Sequence, residues 1–178
     1  NQSLRNLVNG WGKAAPRMAY YLYQFNLAEV SSPYPMITKL SIDLPIIYKN
    51  HCAFWQPENL ANFETSLHGV YLGNRMAWNP RLAPAKIINE INRNFYGHAS
   101  DAMGAYWKFI DEIWVKTPEY SGCGFGHLRR FTRERMAEAR KLMDAGLAAG
   151  KTPQEIARVK LADESLQLFE LFMKMRYD

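Results

Sequence analysis

The spacing of hydrophobic positions divides the chain near Pro57. Before it, short apolar runs are separated by polar or proline-rich stretches; after it, apolar side chains recur every three or four residues almost to the end. Leu4, Leu7 and Val8 form a small amphipathic piece that Asn9-Gly10 is expected to break. The run RMAYYLYQFN predicts a buried strand over residues 18–25, because aromatic side chains suit a pleated surface. Ser31-Ser32-Pro33-Tyr34-Pro35 predicts a rigid extended loop, since each proline fixes its own φ and drives the preceding residue out of the helical region. Ile37, Leu40, Ile42, Leu44, Ile47 and Tyr48 suit a helix over residues 36–50 with Pro45 as a kink or a restart, and HCAFW predicts a second strand over residues 52–55.

Helices are expected from there on. Leu60, Phe63, Leu67, Val70, Tyr71 and Met76 share one stripe that stops at Trp78-Asn79-Pro80, with Gly69 and Gly73 where a neighbour could approach closely. Pro84 opens a second helix with Ile87, Ile88, Ile91 and Phe95 on its buried face, and Gly97 ends it. A third helix is predicted over residues 98–115, and Pro118 with three glycines makes residues 116–126 a loop. Two long helices, over residues 127–149 and 153–176, should pair antiparallel. Their turn is specified by Gly150 in the left-handed conformation and by Thr152-Pro153-Gln154-Glu155 as a capping box.

Strand, loop, helix, strand is the parallel repeat of a β/α barrel or a doubly wound sheet. A complete barrel takes about 250 residues, and only two strands of the right kind are found, with too few residues ahead of them for six more. The expected class is therefore an α/β fragment, the last βα units of a TIM-like barrel, followed by a mainly α-helical C-terminal region. The expected boundary lies at residue 80, with barrel units over 1–80 and a helical subdomain over 81–178.

Composition narrows the partners. A chain of 178 residues that is 48% hydrophobic can build a real core. Its excess of 22 basic over 17 acidic residues is concentrated at Arg129, Arg130, Arg133, Arg135, Arg140 and Lys141. Glu134, Glu138 and Asp144 are interleaved with them, so a solvated mixed-charge face is expected and no nucleic acid. No apolar run reaches the roughly 18 residues of a membrane helix, and no membrane partner is expected. Cys52 and Cys123 read as free thiols. A zinc site built from His51, Cys52, Cys123 and His127 lacks half the usual ligand spacing, and the glycines of SGCGFGH follow no strand. No metal or other cofactor is expected.

Barrel sites sit at the C-terminal ends of the strands, which selects Tyr23, Gln24, Phe25 and Asn26, then Trp55, Gln56, Glu58 and Asn59. Sugars offer an apolar ring face and a rim of hydroxyls, so a site for them wants a flat aromatic flanked by amides and a carboxylate. Tyr23, Gln24, Asn26, Trp55, Gln56 and Glu58 are the candidate substrate-binding residues, with Trp55 as the platform. Of Glu29, Glu58 and Glu64 only Glu58 falls at a strand exit, as a group for positioning or electrostatics and not as the acid; no catalytic residue is assigned.

Two steps in the sequence carry a family likeness. Ala77-Trp78-Asn79-Pro80, and Phe95-Tyr96-Gly97 followed by Ala99, resemble motifs of a bacterial glycoside-hydrolase-like family known as a domain of unknown function, some of whose members are endo-β-N-acetylglucosaminidases. The resemblance spans about residues 11–114. It implies a TIM-like barrel followed by helices, with the two strands above as its seventh and eighth and the catalytic acid on earlier strands absent here. It also implies a glycan substrate, an exported location, and the remainder of a barrel or a second copy of the chain as partner. The expected role is the C-terminal portion of a carbohydrate-active, glycoside-hydrolase-like protein that lends substrate-binding loops without catalysing alone. The alternative is a non-catalytic helical protein-interaction module.

Overall fold

The computed structural model describes residues 2–116 and 123–177. Helix α1 (Gln2–Ala14) leads into strand β1 (Met18–Tyr23), helix α2 (Ile37–Lys49) and strand β2 (Cys52–Glu58). A 3₁₀ turn at Phe63–Thr65 precedes α3 (Leu67–Trp78) and α4 (Pro84–Tyr96); then come α5 (Ser100–Val115), the short α6 (Gly124–Leu128), α7 (Arg133–Ala149) and α8 (Pro153–Tyr177).

The barrel expectation is corrected here. The protein is mainly helical, and its described residues contain one two-stranded sheet, β1 beside β2 in parallel, with no evident remnant of barrel βα units. The physical reason lies after β2, where no described residue returns to the sheet. Instead α3 packs beside α2, and the helices that follow bury their apolar faces against one another. One core collects Leu22, Leu40, Leu44, Ile47, Leu72 and Met76 between the sheet, α2 and α3. A second collects Met103, Trp107, Ile110, Met143, Val159, Leu166 and Phe169 between α5, α7 and α8.

Local expectations fare unevenly. Asn9-Gly10 does not break α1, a half-turn of helix propensity being small against a continuous amphipathic stripe, and α2 runs through Pro45. The expected stripe from Leu60 starts too early: Leu60 and Phe63 are exposed, and the buried face of α3 is His68, Leu72 and Met76 with Gly69 and Gly73. Gly69 is required by contact, since a Cβ there would lie 2.6 Å from the Pro35 carbonyl oxygen. The loop expected over residues 116–126 falls partly outside the described residues, and its end is the helix α6. Gly97 ends α4 with φ 54°. Gly150 does not turn left-handed, taking φ −64°, ψ 131°. The capping box forms: Thr152 Oγ1 accepts from the Glu155 N–H at 3.2 Å and Glu155 Oε2 accepts from the Thr152 N–H at 3.1 Å.

Three polar junctions tie the helices together. The first turn of α2 has no side-chain cap of its own, so the buried Asp111 of α5 accepts from the Thr38 N–H at 3.1 Å and from its hydroxyl. Burial raises the Asp111 pKa against these donors. Arg140 of α7 grips Glu170 of α8 through two hydrogen bonds, at 2.9 and 2.7 Å, and also reaches the buried Asp163. This is a clamp between helices where a solvated face was expected. His68 of α3 is fully buried, 4.8 Å from the Trp107 ring, and its Nε2–H donates to Asn92 Oδ1 at 2.8 Å.

Gly69→Ala should lower stability by about 1–3 kcal/mol, because backbone must move to admit the methyl. Gly10→Ala, which meets nothing within 4 Å, should be neutral or stabilising by up to about 1 kcal/mol; urea unfolding of both variants checks the contrast. Burial holds the His68 pKa at about 4 against an ordinary 6.5. The unfolded chain therefore takes up this proton first as pH falls. Stability present above pH 6.5 should be lost by about 3 kcal/mol on descending to pH 4, and His68→Gln should flatten that part of the stability–pH curve.

Candidate functional site

Side chains alternate across a strand, so parity decides what the sheet presents. Ala19, Tyr21 and Tyr23 of β1 point to one side, and the buried Leu22 with Tyr20 to the other. Between Met18 and Ala19 the pairing skips a residue of β2, so that Cys52 faces Met18 but Phe54 faces Ala19. This bulge places Phe54, Gln56 and Glu58 beside Ala19, Tyr21 and Tyr23 on the outer face. The same shift sends Trp55 and Pro57 inward, with Tyr20 and Leu22.

The outer face is open and aromatic. Tyr21 is 48% exposed, Tyr23 43% and Phe54 61%, although faces of parallel sheets are commonly covered. Tyr21 and Tyr23 meet edge-on with ring centroids 5.5 Å apart, and Tyr23 meets Phe25 in the same way at 5.4 Å. The Tyr21 hydroxyl donates to the Glu58 carboxylate. That bond is the chief reason the Tyr21 pKa is pushed above the usual phenol value. Two tyrosine rings set edge to face, a carboxylate and the Gln56 amide thus share one accessible surface.

The six residues expected from sequence divide. Tyr23, Gln56 and Glu58 are brought together on the open face. Gln24 and Asn26 lie beyond the end of β1 and are buried. The Gln24 N–H donates to the Glu58 carbonyl at 2.9 Å, and its side-chain oxygen accepts from Asn59 at 3.1 Å. Asn26 Oδ1 accepts from the Ala28 N–H at 3.0 Å. Trp55 does not join the group: its ring packs 5.7 Å from Tyr20 and against Gly73, and its indole N–H donates to Asn74 at 3.0 Å. The aromatic partner that sequence reading missed is Tyr21, which two-residue periodicity back from Tyr23 would have found; Phe54 needed knowledge of the bulge.

Other candidates fall elsewhere. Glu29 accepts from the Ser31 hydroxyl at 2.6 Å, within its own turn, and Glu64 accepts from Ser165 of α8 at 2.8 Å. Among the described residues no three His, Cys, Asp or Glu side chains cluster as metal ligands, and no helix is long and apolar enough to cross a membrane.

The sheet, its open face, α3 and α4 all lie in the part of the chain, residues 1–108, that matches the model of a family described as Domain of unknown function (DUF4838). The chain belongs to this family. The match takes in the Ala77-Trp78-Asn79-Pro80 and Phe95-Tyr96-Gly97 steps and the first half of α5, while α7 and α8 lie outside the DUF4838 portion. No curated protein and no solved structure matches the chain.

Glu58→Gln should return the Tyr21 ionisation toward pH 10, because the neutral amide no longer penalises the phenolate. Spectrophotometric titration of wild type beside Tyr21→Phe isolates that step; a Tyr21 step at the same pH in wild type and Glu58→Gln would deny the Tyr21–Glu58 contact.

Proposed function

We propose that the open sheet face binds a saccharide and that the chain contributes this recognition surface to a carbohydrate-active, glycoside-hydrolase-like protein. The observation that carries the reading is the grouping of Tyr21, Tyr23, Gln56 and Glu58 on one exposed face, with Tyr21 oriented by Glu58. A pyranose lays its C–H face on an aromatic ring and turns its hydroxyls outward, where a carboxylate accepts and an amide both donates and accepts. Such a ligand wants an exposed aromatic ring face and polar groups at its rim, and the exposed tyrosines with Gln56 and Glu58 supply both. Resemblance of the 77–80 and 95–99 steps to a family containing endo-β-N-acetylglucosaminidases supports a glycan as the ligand class. Glycoside hydrolysis usually uses two carboxyl groups across the bond, and β1 and β2 carry only Glu58. The role assigned to this face is accordingly binding and positioning.

A second reading, a helical protein-interaction module, is favoured by α8. Leu161, Leu168 and Met175 recur every seven residues on its outer side with Leu171 between them, and all four are exposed. The two readings differ in which surface matters for saccharides.

Titration calorimetry against a glycan panel should show binding that Tyr21→Ala and Tyr23→Ala each weaken about tenfold or more, which is about 1.4 kcal/mol. Leu168→Ser on α8 should leave it unchanged. Wild-type protein that binds no glycan, or binding indifferent to both tyrosines, would remove the proposal.

A further inference from the structure

Past Tyr23 the chain leaves the sheet and borders a cavity of about 450 Å³, within the ~300–1,000 Å³ range of small-molecule sites. Its walls include Tyr23, Phe25, Asn26, Tyr34, Lys39 and Trp114. The aromatic walls are held in place. Tyr34 meets Trp114 edge-on at 4.6 Å, the Trp114 indole N–H donates to the Pro33 carbonyl at 2.8 Å, and Arg130 donates to the Trp114 carbonyl at 2.6 Å. Lys39 carries a charge already matched by Asp43, and it donates to the Tyr20 hydroxyl at 3.1 Å.

Asn26 is a polar group left over on this wall. It is only 5% exposed, and among the described residues its Nδ2 has no hydrogen-bond partner while its Oδ1 is occupied by the Ala28 N–H. A buried amide donor without an acceptor is destabilising, and such a cost on the wall of a cavity is relieved when a ligand brings an oxygen. Tyr23 belongs to this wall and to the open face at once. The two surfaces are therefore continuous around one side chain.

We infer that the cavity seats one neutral sugar unit of a saccharide whose following units lie along the Tyr21–Tyr23 face, with a hydroxyl or carbonyl oxygen of that unit accepting from Asn26 Nδ2. This rests on the reading of the open face as a saccharide platform and adds a subsite to it. The ligand is neutral because, among the described wall residues, Lys39 is paired with Asp43 and burial lowers the His127 pKa, and it is cyclic because aromatic rings line the space.

Calorimetry with cello- and chito-oligosaccharides of two to six units tests it. Affinity should rise at least tenfold at the length that first spans both surfaces. Asn26→Asp keeps the acceptor for the Ala28 N–H but replaces the donor with an oxygen, and it should erase that step while Tyr21→Ala weakens every length. A second measurement needs no variant of Asn26. Cys123 is exposed and borders the cavity, so in a Cys52→Ser background saturating hexamer should slow its alkylation by iodoacetamide at least threefold. If Asn26→Asp does not fold, this protection decides. Oligomers that bind with no length step lost in Asn26→Asp and no protection of Cys123 would overturn the subsite and leave the platform standing. Failure of every oligomer to bind wild-type protein would overturn both.

Discussion

Parallel pairing of β1 with β2, with one residue of β2 taken up in a bulge, is the constraint from which the rest follows. A two-stranded ribbon has no stability by itself, and one of its faces must be buried. Leu22, Tyr20, Trp55 and Pro57 supply the buried side, closed by α2 and α3. What remains, Tyr21, Tyr23, Phe54, Gln56 and Glu58, is left facing solvent by exclusion. A one-residue shift of register would exchange the two sets.

The helices beyond the sheet act as its buttress. Cores on the two sides of α4 and α5 would be free to move relative to each other if only apolar contacts joined them, because such contacts have no direction. Asp111 at the start of α2 and His68 against Asn92 give the junction direction, since a buried hydrogen bond tolerates little displacement. Both groups carry a desolvation cost that appears as a displaced pKa, upward for the carboxyl and downward for the imidazole. The α7–α8 pair is fastened separately through Arg140, and α8 reaches back to the segment after β2 through Ser165 and Glu64.

Two neighbouring surfaces emerge from this arrangement, an exposed aromatic face and a cavity around the far side of Tyr23. Both depend on where backbone can approach closely. Gly69 lets α3 lie on the Pro35 carbonyl, and Gly73 lets the inward-facing Trp55 ring pack closely against α3.

Sequence alone determined whatever depends on neighbours within a few residues. Helical periodicity located α4, α5 and α8 within a few residues of their ends and placed the C-terminal ends of α3 and α7, while starting both of those helices six or seven residues early; the Thr152–Glu155 box and the Gly97 stop were legible as chemistry, and tyrosine-rich alternation marked β1. It also named Tyr23, Gln56 and Glu58 among six candidates, placing Gln56 and Glu58 past the end of a strand that in fact runs to Glu58. Only the tertiary structure decided the rest: that no described residue after β2 returns to the sheet, so that barrel units are not evident, that Arg140 is a clamp, and that Trp55 faces inward while Tyr21 faces out. The reason is that side-chain parity across two strands depends on a bulge between residues more than thirty positions apart, and no local pattern within either strand encodes that offset.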